Sequence, residues 1–149
     1  MKPVSRIIPI LCTLLVVGFA PALLAEDGHH GCSARSVAGA FGYVTTGIRN
    51  GVGPVAGAGQ LTFHSDGTIS DGKQTVSFNG VIADETFSGT FTVNADCSGS
   101  FTVDVASPIA PRTSHVNIVW TGDSNSAKAI FTDPDTILTA DAKRISLRD

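Results

Sequence analysis

The chain is predicted to be an all-β protein, an antiparallel up-and-down barrel of about eight strands preceded by a signal peptide. Residues 87–105 alternate apolar with hydroxyl-bearing side chains on both sides of a tight turn, which is typical of a β-hairpin with one buried face. No stretch beyond residue 25 has a sustained 3.6-residue apolar period. Nearly every connection is short enough to join neighbouring strands, and closing such a meander into a barrel removes its two edges.

The first 25 residues have the composition of a secretory signal peptide. Lys2 and Arg6 precede an apolar run over residues 7–20, and Ala22 and Ala25 offer cleavage sites. The run is short for a membrane span, which needs roughly 20 apolar residues, although an uncleaved anchor is the alternative. We therefore expect a secreted or periplasmic protein that meets the membrane only through this peptide, before cleavage.

Residues 26–35 are polar and are expected to form a flexible N-terminal lead-in, and residues 36–149 a single β-barrel domain. All 13 acidic residues lie beyond residue 25, so the chain after cleavage is acidic. It has no large cluster of Lys and Arg that could bind a phosphate backbone. Nucleic acid is therefore not expected as a partner, and the sequence leaves the oligomeric state open.

The predicted strands are bounded by residues that favour turns. Ser65-Asp66-Gly67 and Asn79-Gly80 are hairpin turn sequences, and Asp71-Gly72 indicates a bulge or a second turn within the third strand. The expected strands are residues 41–46, 60–64, 68–78, 86–93, 100–105, 114–121, 127–132 and 136–142.

Residues 51–59 contain four glycines and are expected to form a loop. Two interpretations stay open, a lid over the mouth of the barrel or a slack connection.

In a barrel, the alternation places the large apolar side chains inside and the threonines outside. A two-sheet sandwich would satisfy the same alternation, but Greek-key sandwiches need long crossover connections. The side chains expected inside are Phe63, Phe78, Phe87, Phe91, Phe101, Ile118 and Trp120.

The cysteines predict one disulfide. Cys12 lies in the signal peptide, so Cys32 and Cys97 remain as a pair in an oxidising compartment. The alternative, a metal site, needs further ligands at short spacing, and Cys97 has none.

Two segments carry a resemblance to known barrels. Gly39-Ala40-Phe41 with the late Arg144 resembles the two ends of calycin-type barrels, the lipocalin and avidin group, in which a late arginine packs across the first strand. Residues 89–99 resemble a hairpin of small secreted bacterial proteins, Gly-Thr-(Phe/Tyr)-Thr-Val-Asn-x-Asp-Cys-(Ser/Thr)-Gly. Allene oxide cyclase-like and dirigent barrels share the general shape, but none of their catalytic motifs can be placed here. The resemblance implies a barrel and export, not a reaction.

The histidines do not form a convincing catalytic or metal site. His29 and His30 could bind a transition metal, but a solvated polar tail is the better interpretation of this segment. His64 lies near Asp66, although an aspartate in a turn usually bonds its own backbone. His115 has the parity of the outer face. No catalytic residue, metal ligand or cofactor is therefore predicted.

The leading hypothesis is a barrel that binds a small apolar ligand in its interior. The expected ligand-binding residues are Tyr43, Phe63, Phe87, Phe91, Phe101 and Trp120. An allene oxide cyclase-like isomerase or cyclase is the first alternative, ranked lower because the clear strands offer no inward carboxylate. A filled barrel with a structural or interaction role in the cell envelope is the second.

Overall fold

A computed structural model describes residues 31–145, which form one short helix and eight strands. The predicted signal peptide lies outside these residues. Over residues 31–145 no helix has the length and hydropathy to span a membrane. The elements are α1 Ala34–Val37, β1 Gly39–Arg49, β2 Gly53–Phe63, β3 Thr68–Phe78, β4 Val81–Val93, β5 Ser98–Ala106, β6 Arg112–Thr121, β7 Ser126–Phe131 and β8 Thr136–Arg144.

The eight strands form a closed antiparallel barrel, as predicted. Each strand pairs with the next along the chain, and β1 also pairs with β8, from Phe41 opposite Arg144 to Arg49 opposite Thr136. Closure satisfies the backbone groups that would otherwise be exposed at two sheet edges. The sandwich alternative is excluded.

The predicted inward side chains all lie inside the barrel. Phe63, Phe87, Phe91, Ile118 and Trp120 belong to one buried cluster, with Phe101 packed against it. A smaller cluster contains Phe78 with Val55, Val76, Ala83 and Leu138. We call the end with the first cluster the floor and the opposite end, where β1–β2, β3–β4, β5–β6 and β7–β8 connect, the mouth.

Helix α1 covers the floor. Ser33 caps it through a capping box with Ser36, and Val37 at its last turn is completely buried in the floor cluster. Arg144 lies 4.7 Å above the Phe41 ring and donates hydrogen bonds to the carbonyls of Ala38 and Ser124. A late arginine therefore packs across the first strand, as the resemblance implied.

The prediction of a loop over residues 51–59 is wrong. Gly53 to Gly59 belong to β2, which pairs with both β1 and β3. Glycine is needed at 59 because a Cβ there would lie 2.4 Å from the carbonyl oxygen of Lys73 and 2.9 Å from the Tyr43 hydroxyl. Close packing of neighbouring strands, not flexibility, explains this glycine. No lid is formed by this segment.

The predicted bulge is confirmed. The β3–β4 register shifts between Ile69 and Gly72, and Asp71 has a φ of 53°. Apart from β7, which has the predicted length, the other strands are two to six residues longer than their hydrophobic cores indicated, and β4 begins at Val81 instead of residue 86. Hydrogen bonding to both neighbours extends strands beyond the apolar pattern.

The Cys32–Cys97 disulfide is present, with 4.8 Å between the Cα atoms. It joins the segment before α1 to the β4–β5 turn, and the Cys32 amide also donates to the Ala95 carbonyl. The cross-link therefore holds α1 against the floor.

We expect Cys97→Ser to lower the free energy of unfolding by about 4 kcal/mol, because the bond closes a loop with a sequence separation of 65. Urea denaturation measures the change, and the double variant Cys32→Ser/Cys97→Ser should lose the same amount. Ser88→Ala, on the exposed face of β4, is the control. A loss below about 1 kcal/mol would contradict this role for the bond.

Candidate functional site

The barrel contains a cavity of about 230 Å³. It extends from Phe41 and Phe63 near the floor to Asp133, Pro134 and Thr136 near the mouth. Most of its lining is apolar, with a few polar side chains on β1, β3 and β6. This composition is typical of a small-molecule site.

The cavity exists because two strands carry small inward side chains. Ala129 on β7 and Ala140 and Ala142 on β8 line the cavity, and all three keep part of their surface accessible although they point inward. The rings of Phe87 on β4 and Phe101 on β5 also line the cavity and leave this space open.

Four of the six predicted ligand-binding residues line the cavity: Tyr43, Phe63, Phe87 and Phe101. Phe91 and Trp120 lie below it. Their ring centroids are 4.9 Å and 5.6 Å from that of Phe63, in edge-to-face contacts. They support the lining ring of Phe63 and are not themselves in the cavity wall.

A chain of polar side chains crosses this apolar interior. The Tyr43 hydroxyl donates to Gln74 Oε1 over 2.8 Å, and Gln74 Nε2 donates to Glu85 Oε2 over 2.6 Å. Arg112 donates to both Glu85 oxygens, from Nη1 over 2.8 Å and Nη2 over 2.9 Å. The Glu85 side chain has no accessible surface, whereas that of Arg112 is 18% exposed.

The direction of each hydrogen bond in this chain follows from Glu85. An ionised carboxylate only accepts, so the Gln74 amide must turn its NH₂ group to Glu85 and its oxygen to Tyr43. Tyr43 therefore donates its single proton to Gln74, and the lone pairs of its oxygen remain as acceptors. Because Tyr43 lines the cavity, a ligand donor could bind there.

The protonation states agree with this arrangement. Burial by itself raises the pKa of Glu85, but the hydrogen bonds from Arg112, Ser107 and Gln74 outweigh burial and hold that pKa below its usual value. Burial, together with the negative charge of Glu85, raises the pKa of the Tyr43 hydroxyl. Glu85 is thus charged and Tyr43 neutral at physiological pH.

The expectation that no carboxylate points inward is wrong. Glu85 is 2% exposed and lies inside the barrel because β4 begins five residues earlier than the apolar pattern indicated. The signal was available, since Glu85 has the parity of Phe87 and Phe91. Arg112 was missed for the same reason, since it extends the inward parity of Ser114 and Val116 back by two positions.

The contacts of Asp66 are those expected of an aspartate in a turn. Asp66 accepts from the backbone amide and the hydroxyl of Thr68, which lowers its pKa, and does not orient His64. His64 Nε2 lies 2.7 Å from Ser70 Oγ, but Ser70 donates to Asp71, so this serine is not activated by the imidazole.

His115 is exposed, as its parity predicted, and pairs with Asp133 over 2.7 Å. His29 and His30 lie outside the described residues. Between residues 31 and 145, no three His, Cys, Asp or Glu side chains are grouped so as to hold a metal ion.

Comparison with known proteins leaves the family open. No protein-family model matches the chain. Searches of the curated proteins and of the solved structures found no similar protein either. The likeness to calycin-type barrels therefore rests on the closed eight-stranded fold and the contact of Arg144 with Phe41.

We expect Glu85→Gln and Arg112→Gln each to lower the free energy of unfolding by roughly 2–4 kcal/mol, because each leaves the other partner without its counter-charge inside the barrel. The double variant should lose clearly less than the sum of the two, since no lone charge remains. Urea denaturation gives all three values. The control is the exposed pair Lys128–Asp141, whose neutralisation should cost less than about 1 kcal/mol. Strictly additive losses at Glu85 and Arg112 would contradict the coupling.

The contribution of Glu85 should also depend on pH in one direction. Its lowered pKa means that the charged form stabilises the fold above the pKa of unfolded Glu, about 4.3, and that this stability is lost as the pH falls through the folded value. The difference in unfolding free energy between the wild type and Glu85→Gln should be constant from pH 7 to about 5 and shrink below that. A difference that already shrinks above pH 6 would contradict the assignment.

Proposed function

We propose that this protein is a binding protein that takes up a small, largely apolar molecule through the mouth of the barrel. The observation that carries the proposal is the cavity of about 230 Å³, which is lined mainly by apolar side chains and bordered by Tyr43, Gln74 and Arg112. An apolar wall supplies affinity, and a few fixed polar groups orient the ligand. Membership of the calycin group is part of this proposal, supported by the fold.

The cavity volume limits the ligand. An apolar protein cavity of about 150 Å³ holds one benzene molecule, so about 230 Å³ suits roughly ten non-hydrogen atoms. Burying one aromatic or branched apolar group of that size against Phe63, Phe87 and Phe101 would contribute about 1.5–3 kcal/mol. Long-chain lipids do not fit without rearrangement.

We further propose that the barrel works outside the cytoplasm, in the periplasm or beyond it. The Cys32–Cys97 disulfide supports this, since such bonds persist in oxidising compartments. The N-terminal signal sequence supports it independently.

An isomerase or cyclase is the second candidate, and buried Glu85 is the observation that favours it. A general base works best when its pKa lies near the working pH. The pKa of Glu85 is lowered, and Gln74 and Arg112 occupy its oxygens. Glu85 is thus better suited to hold Arg112 than to accept a proton, and we place the enzyme second. A bound molecule that is chemically altered by the wild type but not by Glu85→Gln would reverse this order.

A filled barrel without a ligand is the third candidate. It requires an interior with no free volume, and the 230 Å³ beside Ala129, Ala140 and Ala142 argues against it.

The test is to fill the cavity. We expect small apolar molecules of about six to twelve non-hydrogen atoms to bind the wild type, and Ala140→Leu to weaken that binding at least tenfold by occupying the space. Titration calorimetry and the fluorescence of Trp120, which is the only tryptophan and lies under Phe63, measure binding.

Thr139→Leu is the matched control, because it adds a similar side chain to the same strand on the outer face. Circular dichroism verifies that both variants fold, since overpacking a core costs about 1–3 kcal/mol. No binding by the wild type, or equal binding by Ala140→Leu, would refute the proposed function.

A further inference from the structure

The guanidinium of Arg112 is only partly used by the protein. It has five N–H groups in one plane. Nη1 donates to Glu85 Oε1 and to the Ala110 carbonyl, and Nη2 donates once, to Glu85 Oε2. The Nε–H group and the second N–H of Nη2 make no hydrogen bond to residues 31–145.

These two remaining groups form one edge of the guanidinium. The Nη2 hydrogen that does not face Glu85 lies parallel to the Nε–H bond, so the pair is a complete two-pronged donor. Among the described residues, the only buried side-chain N or O atom without a partner is Trp120 Nε1. The unpaired Nε of Arg112 is therefore accessible, and Arg112 belongs to the cavity wall.

Glu85 and Phe78 fix the direction of this edge. The two-point contact with Glu85 sets the plane of the guanidinium, and the Phe78 ring lies 5.5 Å from its central carbon. An arginine held on three sides loses little further freedom when it binds a ligand. The donor edge is thus prepared before the ligand arrives.

A second arginine adds positive charge to the same wall. Arg49 points inward at the mouth end of β1 and lines the cavity. Within residues 31–145 it forms no ion pair. The acidic lining residue, Asp133, already accepts hydrogen bonds from His115. An incoming anion would therefore meet one unpaired cation and one prepared donor edge.

We propose that the ligand is a small acid, with an apolar body over the Phe63 and Phe87 rings and a carboxylate bound side-on by Nε and Nη2 of Arg112. A planar carboxylate matches two parallel N–H donors, whereas a neutral amide or alcohol presents only one acceptor in that plane. This inference rests on the proposed binding function and adds the chemical class of the ligand.

The test compares three probes of nearly equal shape: 3-phenylpropanoate, 3-phenylpropanamide and propylbenzene. Titration calorimetry at pH 7 with the wild type should give at least tenfold tighter binding of the acid than of the amide. Arg112→Lys keeps the positive charge but removes the two-pronged edge, so the preference for the acid over the amide should fall to threefold or less, and binding of the acid should weaken more than binding of propylbenzene.

Two further variants guard against a general loss of charge or fold. Glu85→Gln/Arg112→Gln removes the ion pair without leaving a lone charge, and it should lose the acid preference, measured as the ratio of the affinities for the acid and the amide. Lys73→Gln removes one cation from the outer face and should behave as the wild type.

The outcomes separate this inference from the proposed function. If propylbenzene and the amide bind as well as the acid, the Arg112 assignment is overturned and the binding function stands. If none of the three probes binds the wild type, both are overturned. An acid preference that survives in Arg112→Lys also rejects the side-on contact.

Discussion

The pairing of β1 with β8 is the constraint on which the other features depend. Nine residue pairs along this seam turn a meander into a closed wall. Once the wall is closed, every alternating residue is committed to the inside or the outside, and the interior becomes a confined, mostly dry volume. The buried rings, the inward carboxylate and the cavity all require that closure, since on an open sheet each would face water.

Within this wall the polar chain from Tyr43 to Arg112 places hydrogen-bonding groups in an otherwise apolar interior. A charge as deeply buried as that of Glu85 is tolerated only when its oxygens are fully occupied, and here Gln74 and Arg112 occupy them. The same contacts leave the lone pairs of Tyr43 and one edge of Arg112 for another molecule. The hydrogen bonds that stabilise the buried Glu85 therefore also determine which groups of Tyr43 and Arg112 can contact another molecule.

The sequence predicted the architecture well because alternation is a strong signal in amphipathic strands. Phe87, Phe91 and Phe101 were assigned to the interior from parity alone, and Cys32 and Cys97 from their number and compartment. The prediction failed where the composition of a segment does not reflect its position in the fold. Gly53 to Gly59 have few side chains to show a pattern, yet they form a strand because neighbouring strands approach their backbone closely.

The polar residues of the candidate site are harder to predict than the core. Glu85 and Arg112 lie at the beginnings of strands, where the apolar pattern has faded, and polar residues there are normally assigned to solvent. Only the partner on a different strand makes either of them acceptable inside, and that pairing of residues 27 positions apart is invisible in the local pattern. The cavity is likewise hard to predict, because its volume is the difference between the volume that the strands enclose and the volume of the inward side chains. Ala129 and Ala140 indicate space only after their side chains are known to point into the barrel.

Because the floor is covered, the cavity of the barrel opens only toward the mouth. Val37, Arg144 and the cross-link at Cys97 cover one end, so a ligand would enter and leave through the mouth, where Asp133 and Pro134 of the β7–β8 loop line the cavity. The residence time of such a ligand would then depend on the mouth of the barrel, where Asp133 pairs with His115. An acidic ligand would also enter in one orientation, with its apolar part first and its carboxylate last, near the mouth.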